Sequence, residues 1–362
     1  MKFFVVLGTR PEIIKMSSII YEFERRKLDY SIVQTGQHYS YNMDKVFFDV
    51  LGLPDATYNL DVGSGSHGNQ TGRMLIELEE VLEKERPDVV LVQGDTNTVL
   101  AGALAAAKLG IKIGHVEAGL RSYDRSMPEE VNRVLADHCS DYLFAPTGVS
   151  KKNLLAEGID ENKIFVVGNT VVDSLLKNRG MKLGTVNVLE SMNLSSKEYC
   201  LVTVHRQENV DNKEHFSSIM LGLKHIWREF GVPVVYPVHP RSRKRMEEFG
   251  LPSDGVHLVD PVDFLSFLQL ENNAKLILTD SGGVQEEACI FGVPCVTLRK
   301  NTERPETLEV GANMLAGTDP DKIVECAKAM VSKNGGWSNP FGDGTTGQQI
   351  VEILCNFPLF EK

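Results

Sequence analysis

The chain has 362 residues, of which 42% are hydrophobic and 24% charged, a composition that is ordinary for a soluble globular protein and a length that suits two domains. The net charge of −11 argues against a general nucleic-acid-binding protein and against binding to anionic membranes. We expect a cytoplasmic location, because the six cysteines contain no C-x-x-C pair and no apolar run is long enough for a signal peptide or a membrane span.

Short apolar runs alternate with helical periodicity in the first half of the chain. In the helix predicted over Arg73–Glu85, the apolar positions fall on one face, and Pro87 follows its end. This alternation predicts a mostly parallel sheet covered by helices on both faces. The runs predicted as strands are Phe3–Leu7, Ser31–Gln34, Val89–Gln93, Lys112–Val116 and Tyr142–Ala145.

The second half of the chain repeats this pattern. The strand signal lapses around Val172–Lys197, where we place the domain junction, and the tail Thr345–Phe357 is predicted to be helical. The sequence therefore predicts an α/β protein with two Rossmann-like, doubly wound domains that face each other across a cleft. Ligands bind such sheets beyond the carboxyl ends of the strands. The later strands are predicted at Cys200–Val204, Pro233–Val238, His257–Leu258, Leu276–Thr279 and Cys295–Leu298.

The segment from Leu276 to Ala288 contains the most informative pattern. A buried strand leads through Ser281, Gly282 and Gly283 into a helix that carries Glu286 and Glu287 in its first turns. Backbone N–H groups at such a helix start can bind an anion, and glycines allow a diphosphate to approach the main chain. The carboxylates lie within reach of hydroxyls such as a ribose diol. An ordinary glycine turn between a strand and a helix is the alternative.

Two cations follow the first predicted strand. Arg10 and Lys15 lie near a helix start, where a positive charge contributes little to stability, so an anion bound between them would explain both. Two surface cations are the alternative. The segment is not G-x-G-x-x-G, so it gives no support for a nicotinamide-binding turn.

Carboxylates follow other strands. Asp95 comes after one strand and could simply cap a helix, whereas Glu117 comes after the next. Glu129 and Glu130 open a helix, where acidic residues are routine. Three carboxylates near one cleft would repel each other, and their partial burial would raise a pKa, which suits acid/base catalysis.

Histidines also follow strands of the second half. His205 with Arg206 could neutralise a departing phosphate, and His239 is placed similarly, although a structural role is the alternative for each. Arg304 lies in a loop and could reach a diphosphate or form a surface salt bridge. The spacing of histidines and acidic residues does not predict a metal site.

Taken in order along nearly the whole chain, these segments resemble the non-hydrolysing UDP-N-acetylglucosamine 2-epimerases. The matching segments are Gly8–Glu12 with Lys15, Gly36–His38, Gly94–Thr96, His115–Arg121, Pro128–Glu130, Gly168–Thr170, His205–Arg206, Thr279–Glu287 and Glu303–Pro305. The resemblance implies the glycosyltransferase-B architecture and a homodimer. It implies a first domain over 1–172, with the C-terminal helix in 345–362 packing back on it, and a UDP-binding domain over 173–344.

The resemblance also implies the reaction, in which UDP-GlcNAc and UDP-ManNAc interconvert by inversion at C2. A base would remove the C2 proton while UDP leaves from C1, and UDP would then add again to 2-acetamidoglucal. This route needs no NAD and no metal ion, and the resemblance implies no cofactor. The ManNAc product could enter a capsule, a surface polysaccharide or a glycoprotein glycan, and the sequence leaves these alternatives open.

Residue roles follow from the matching motifs. The catalytic candidates are Asp95, Glu117, Glu129 and His205. UDP is expected to contact Arg10, Lys15, Phe267, Ser281, Gly282, Gly283, Glu287 and Arg304. A second, regulatory site would involve Gln37, Arg206 and His239, and Val262 stands where some relatives have Gln. The alternatives are a hydrolysing epimerase that releases ManNAc, a glycosyltransferase of the same fold, and a non-enzymatic nucleotide-sugar sensor.

Overall fold

The computed structural model describes residues 1–36, 41–180, 187–333 and 335–356. The chain forms two compact units, of which the first comprises Met1–Lys177 with Phe341–Lys362 and the second Asn178–Pro340. Within the described residues, no helix is both long enough and apolar enough to cross a membrane.

The first unit contains a parallel sheet of seven strands in the order β3-β2-β1-β4-β5-β6-β7. The central strands are almost completely buried, as expected when helices cover both faces. The order reverses between β1 and β4, and such a switch point opens a crevice at the carboxyl ends of the strands. The strands are β1 (Lys2–Leu7), β2 (Asp29–Gln34), β3 (Tyr58–Asn59), β4 (Val89–Gln93), β5 (Lys112–Val116), β6 (Tyr142–Ala145) and β7 (Ile164–Val166).

Helices connect these strands, and the last helix of the chain belongs to the same unit. They are α1 (Arg10–Arg26), α2 (Tyr41–Leu51), α3 (His67–Glu85), α4 (Asn97–Lys108), α5 (Pro128–Cys139), α6 (Gly148–Ala156), α7 (Thr170–Gly180) and α16 (Thr346–Asn356). The carboxylate of Asp173 accepts the backbone N–H groups of Thr346 and Gly347 at 3.3 and 2.8 Å, which ties the start of α16 to α7.

The second unit repeats the architecture with six parallel strands in the order β10-β9-β8-β11-β12-β13, so its switch point lies between β8 and β11. The strands are β8 (Cys200–Thr203), β9 (Val234–Pro237), β10 (Val256–Val259), β11 (Leu276–Thr279), β12 (Cys295–Thr297) and β13 (Asn313–Leu315). The helices are α8 (Val188–Ser191), α9 (Gln207–Val210), α10 (Lys213–Phe230), α11 (Pro240–Phe249), α12 (Phe264–Asn273), α13 (Gly282–Phe291), α14 (Pro305–Glu309) and α15 (Pro320–Ser332).

The predicted fold class, two doubly wound α/β domains, is confirmed. The strands that the sequence analysis missed are β3, β7 and β13, which are two or three residues long and too short to show a pattern. The units divide after 177 and after 340, whereas the predicted boundaries lay at 172 and 344. The boundary after 177 lies later than the predicted one at 172, because α7 packs on the first unit. The hydroxyl of Ser174 on α7 donates to the carbonyl of Ile14 at 2.7 Å.

Candidate functional site

The carboxylate of Glu117 occupies a constrained position directly after β5. Its φ of 73° is unusual for a residue with a side chain, and such strain clusters at functional sites. The side chain is buried, and both of its oxygens contact the ammonium of Lys15, at 2.8 and 2.7 Å. The side-chain amide of Gln93 donates to the same carboxylate. Lys15, which we expected to bind UDP, therefore holds a carboxylate in this structure.

Asp95 follows β4 and is held from α5. The guanidinium of Arg133 forms an ion pair with its carboxylate, and Asn132 donates to its backbone carbonyl at 3.0 Å. The side chain of Asp95 remains 29% exposed, so it is accessible to a ligand. The sequence analysis did not single out Arg133, because its partner lies 38 residues away in the chain.

The two glutamates at the start of α5 have different environments. Glu130 is buried and accepts the backbone N–H groups of Ser122 and Tyr123 at 3.0 and 2.9 Å, so it shapes the preceding loop. Glu129 is half-buried, and its carboxylate has no hydrogen bond or ion pair among the described residues. Of the two, Glu129 is thus the one available to a ligand.

A buried ionic network that the sequence analysis missed supports the Asp95 loop. Nδ1 of His115 lies 2.7 Å from Asp137, and its Nε2 lies 2.8 Å from the carbonyl of Gly94. Arg121 contacts the other oxygen of Asp137 at 2.8 Å. Because both ring nitrogens face acceptors, both carry hydrogen, and His115 is an imidazolium.

The pKa directions agree with this assignment. Burial acts to lower the pKa of His115, but the charge of Asp137 and the two hydrogen bonds outweigh it and raise the pKa. Burial acts to raise the pKa of Asp137, but His115 and Arg121 outweigh it and lower the pKa. The network therefore exists as a carboxylate between two cations.

Glu12 is a further buried carboxyl group that the sequence analysis passed over. Burial raises its pKa to about 7, against three hydrogen bonds that favour the ionised form. Glu12 is the third residue of α1 and is not one of the three carboxylates for which the sequence analysis expected a raised pKa.

In the second unit, the chain passes from β11 through Ser281 directly into α13, as the sequence predicts. Ser281 caps α13, and its hydroxyl oxygen accepts the N–H of Val284 at 3.5 Å. A Cβ on Gly282 would lie 2.4 Å from Oε1 of Glu303, so the buried carboxylate of Glu303, which pairs with Arg299, would have to move. A Cβ on Gly283 would meet nothing closer than 3.9 Å, so packing does not require glycine at that position.

Asp280 positions the predicted histidine and was also missed. It is completely buried and accepts the backbone N–H groups of His205 at 3.0–3.1 Å and Arg206 at 3.0 Å. Nδ1 of His205 lies 3.2 Å from the same carboxylate, and the ring is 50% exposed. Burial acts to raise the pKa of Asp280, but the bonds from His205, Arg206 and Asn209 outweigh it and lower the pKa. A buried Asp directly after a strand was the signal available in the sequence.

The two glutamates of α13 differ in exposure. Glu286 is completely buried and accepts from Nε of Arg304 at 2.5 Å, so the expectation that it reaches a ribose is wrong. Glu287 is half-buried and lies beside Glu271, whose pKa is raised by burial and by the neighbouring carboxylate. Arg304 is itself buried, and this ion pair ties the loop that carries it to α13.

Three further predicted residues, Phe267, Arg206 and His239, lie in the second unit. Phe267 is partly buried against the core beneath α12 and α13. Arg206 contacts Glu303 at 3.3 Å, and Nδ1 of His239 accepts the N–H of Arg241 at 3.2 Å as the cap of α11. Burial, together with the charges of His205 and Arg241, lowers the pKa of His239. Gln37 lies outside the described residues.

Comparison with known proteins decides the family. The profile of the UDP-N-acetylglucosamine 2-epimerase family matches residues 22–355. The chain belongs to this family. The UDP-N-acetylglucosamine 2-epimerase of Methanocaldococcus jannaschii is 56% identical over 98% of this chain and 99% of its own length. Its crystal structure in complex with UDP-GlcNAc and UDP has a TM-score of 0.92 and covers 99% of this chain and 100% of that one.

A second relative differs in substrate. The UDP-2,3-diacetamido-2,3-dideoxy-D-glucuronate 2-epimerase of Pseudomonas aeruginosa is 44% identical over 98% of this chain and 99% of its own length. The 2-epimerase family thus includes enzymes that act on a modified UDP-sugar.

Within each unit of this 2-epimerase family member, the structure brings together part of the predicted site. In the first unit, Lys15 and Glu117 are in direct contact. In the second, His205 is joined through Asp280 to the strand that precedes Ser281. Within the described residues, no group of three or more His, Cys, Asp or Glu side chains is arranged to hold a metal ion.

Proposed function

We propose that this chain interconverts UDP-GlcNAc and UDP-ManNAc by inverting C2. The observation that carries the proposal is the 56% identity, over essentially the whole length of both chains, to an epimerase that was crystallised with UDP-GlcNAc and UDP. C2 of this sugar has no adjacent carbonyl group, so direct removal of its proton is prohibitively slow.

Elimination avoids this difficulty. A carboxylate takes the C2 proton, a double bond forms between C1 and C2, and the C1–O bond breaks so that UDP leaves with the electron pair. In the return step, a UDP phosphate oxygen attacks C1 of 2-acetamidoglucal while an acid delivers a proton to the opposite face of C2. No redox cofactor is consumed in this sequence.

The first unit supplies the acid and base groups in this proposal. Asp95, Glu117 and Glu129 are the candidates. Support comes from the strained backbone and cationic partner of Glu117, from the exposure of Asp95, and from the lack of a hydrogen bond or ion pair to the Glu129 carboxylate among the described residues. The ammonium of Lys15 lies 2.7 Å from the Glu117 carboxylate and orients it.

The second unit supplies the groups that hold UDP. Backbone N–H groups at Ser281, Gly282 and Gly283 would bind the diphosphate, and Glu287 would bind the ribose diol. Phe267 would lie beside the uracil, His205 would neutralise the departing phosphate, and Arg10 would add a cation. Lys15 and Arg304 already contact Glu117 and Glu286, which favours positioning roles for both.

The cellular setting is also an inference. We place the enzyme in the cytoplasm as a homodimer that supplies ManNAc units for a surface polysaccharide, with Arg206 and His239 as candidates for a regulatory site together with Gln37. The resemblance to the family supports the dimer, and the unpaired cysteines support a reducing compartment. Size-exclusion chromatography with light scattering tests the dimer.

Incubation of the purified protein with UDP-GlcNAc in D2O, without added NAD or metal, tests the reaction. We expect UDP-ManNAc to form and deuterium to appear at C2 of both sugars in proton NMR spectra, because the transferred proton exchanges with solvent. Unexchanged C2–H in the product would rule out elimination. Accumulation of free ManNAc would indicate the hydrolysing reaction instead.

A parallel incubation addresses substrate choice. The 44% identity to a diacetamido-glucuronate epimerase makes UDP-2,3-diacetamido-2,3-dideoxy-D-glucuronate the second candidate substrate. The UDP-sugar with the higher kcat/KM in the same deuterium assay is the preferred substrate. Failure of both sugars to exchange would favour the glycosyltransferase or the sensor.

The substitution Gly283→Ala tests the diphosphate site. An added methyl group has room within the protein and favours the helix by about 1 kcal/mol, so the free energy of unfolding should stay the same or rise. The methyl group would occupy the space through which a diphosphate approaches the main chain, so UDP should bind roughly tenfold more weakly, about 1.4 kcal/mol. Isothermal titration with UDP and urea unfolding provide the two measurements.

Gly148→Ala is the matched control. Gly148 is the first residue of α6, also at a helix start that follows a strand, and a Cβ there would meet nothing within 4 Å. This variant should match Gly283→Ala in stability and the unmodified protein in UDP affinity. Equal UDP affinity in both variants would show that the diphosphate does not bind at Gly283.

A further inference from the structure

Glu12 joins the ends of two central strands of the first unit. One oxygen of its carboxylate accepts the backbone N–H groups of Gly8 and Thr9, at 2.5 and 3.0 Å, in the segment that follows β1. The other oxygen accepts the hydroxyl of Thr96 at 2.5 Å, in the segment that follows β4. Because β1 and β4 flank the switch point, this single side chain bridges the crevice where ligands bind doubly wound sheets.

The bridge fixes the neighbour of Thr96, which is Asp95. From α5, Arg133 and Asn132 hold the carboxylate and the carbonyl of Asp95. From α1, Glu12 holds the next residue through its hydroxyl. Asp95 is therefore clamped between two helices, although its own side chain stays partly exposed.

The clamp depends on the charge of Glu12. An ionised carboxylate accepts all three hydrogen bonds, whereas a protonated one must place its hydrogen on an oxygen that is already accepting. Two backbone N–H groups share one oxygen, so the hydrogen goes to the oxygen that faces Thr96, and the bond to that hydroxyl reverses. The hydroxyl of Thr96, which also accepts the N–H of Val99 at the start of α4, would then accept from Glu12, and its own hydrogen would need another acceptor.

The environment of Glu12 places this change near neutral pH. Burial, together with repulsion from Asp95, raises its pKa to about 7 against the bonds from Thr96, Gly8 and Thr9, which act to lower it. Other charged groups also lie on the elements around this part of the site. They are Arg10 and Lys15 on α1, His115 in β5, Glu117 directly after β5, and Arg133 on α5.

We propose that ionised Glu12 is a positioning residue for Asp95, and that proton uptake by Glu12 slows turnover. This inference rests on the proposed epimerase reaction only for its kinetic test. Glu12 itself need not touch the sugar, because it acts through Thr96 and the backbone of the two segments.

Glu12→Gln is the principal variant. Glutamine keeps the size of the side chain but brings an NH2 group, which cannot accept from either the N–H pair or the Thr96 hydroxyl. We expect kcat to fall by roughly 10- to 100-fold, since small displacements of a catalytic group have effects of this size. KM for UDP-GlcNAc should change little, and the decline of kcat below pH 7 that we expect of the unmodified enzyme should be lost.

Two controls accompany it. Glu22→Gln removes the charge of another buried glutamate on α1 that pairs with Arg25 and Arg26, and it should leave kcat and its pH profile unchanged. Thr96→Val removes the hydroxyl that Glu12 accepts, whereas Thr96→Ser keeps it. Thr96→Val should lower kcat as much as Glu12→Gln does, and the double variant should show no further loss. Thr96→Ser should have the kinetics of the unmodified enzyme.

A second measurement needs no substrate. Because the pKa of Glu12 is raised in the folded state, its contribution to stability is greatest below pH 4.5 and declines as the pH rises through about 7. The melting temperature of the unmodified protein, relative to Glu12→Gln, should therefore fall between pH 5 and pH 8. This comparison remains valid if the protein proves to act on no UDP-sugar, so the two proposals fail separately.

The inference is overturned if Glu12→Gln retains the kcat of the unmodified enzyme. It is also overturned if kcat falls but its pH dependence is unaltered, because the side chain would then serve packing alone. A relative melting temperature that does not vary between pH 5 and pH 8 would contradict the titration of Glu12.

Discussion

Glu117→Gln should abolish the exchange of deuterium into UDP-GlcNAc while leaving UDP binding within about twofold. The carboxylate lies between the ammonium of Lys15 and the amide of Gln93 at a strained backbone position, and glutamine keeps that shape but cannot accept the C2 proton. Loss of a general base typically lowers the rate by about 10²–10⁴-fold. Single-turnover NMR in D2O and calorimetric titration with UDP measure the two effects.

The matched control is Glu85→Gln. Glu85 also forms a 2.7 Å ion pair with a lysine, which is Lys2 at the start of β1. The proposed site lies beyond the other end of this strand, and Glu85 plays no part in it. This variant should retain full exchange. Normal turnover in Glu117→Gln would instead transfer the role of base to Asp95 or Glu129.

Asp137→Asn should destabilise the first unit more than any other charge substitution considered above. The change leaves His115 as a buried cation beside a neutral amide, while Arg121 keeps its ion pair with Glu157, and breaking a buried ion pair in this way costs about 3–5 kcal/mol. Urea unfolding monitored by circular dichroism measures the loss. Turnover should fall as well, because His115 also holds the carbonyl of Gly94 before Asp95.

The pH dependence of this loss follows from the two pKa directions. The lowered pKa of Asp137 means that its stabilisation is present above pH 3.8 and is lost as the pH falls through the folded value. The raised pKa of His115 means that its stabilisation is present below pH 6.5 and is lost as the pH rises through the folded value. The difference in the free energy of unfolding between the unmodified protein and Asp137→Asn should therefore be largest between pH 3.8 and pH 6.5.

Glu161→Gln is the control for surface charge in the same unit. Glu161 pairs with Lys151 at 2.7 Å, but its side chain is 67% exposed, so the loss should stay within about 1 kcal/mol. If Asp137→Asn unfolds with the same free energy as this control, the buried network does not contribute to stability.

Local patterns were sufficient for the elements that form the centre of each sheet. The predicted strands at Val89–Gln93, Lys112–Val116, Tyr142–Ala145 and Leu276–Thr279 agree with the structure residue by residue, because each is a short run between helical segments. Three of these runs are almost wholly apolar, and the other also contains Lys112 and His115. Helix starts were equally visible where proline or a capping residue marks them, as at Pro128 and Ser281. The edge strands β3, β7 and β13 are too short to show such a pattern, whereas the edge strand β10 was predicted in part, at His257–Leu258.

The position of candidate site residues after strands was also evident in the sequence, because parallel strands align their carboxyl ends. Asp95, Glu117, His205 and Ser281 were chosen on that basis. The sequence did not reveal which other residues hold them. Thr96 and Glu12 are 84 residues apart, Arg133 and Asp95 are 38 apart, and His205 and Asp280 are 75 apart.

The sequence by itself thus determined the class of fold, the family, and the kinds of chemical group available to a UDP-sugar. Tertiary structure alone decided which charges are paired: Lys15 with Glu117, Arg304 with Glu286, and Asp137 between two cations. The physical reason is that periodicity and capping act over a few neighbouring residues, whereas burial and electrostatic pairing depend on distances in space. Those distances raise the pKa of Glu12 to about 7 and lower that of Asp137.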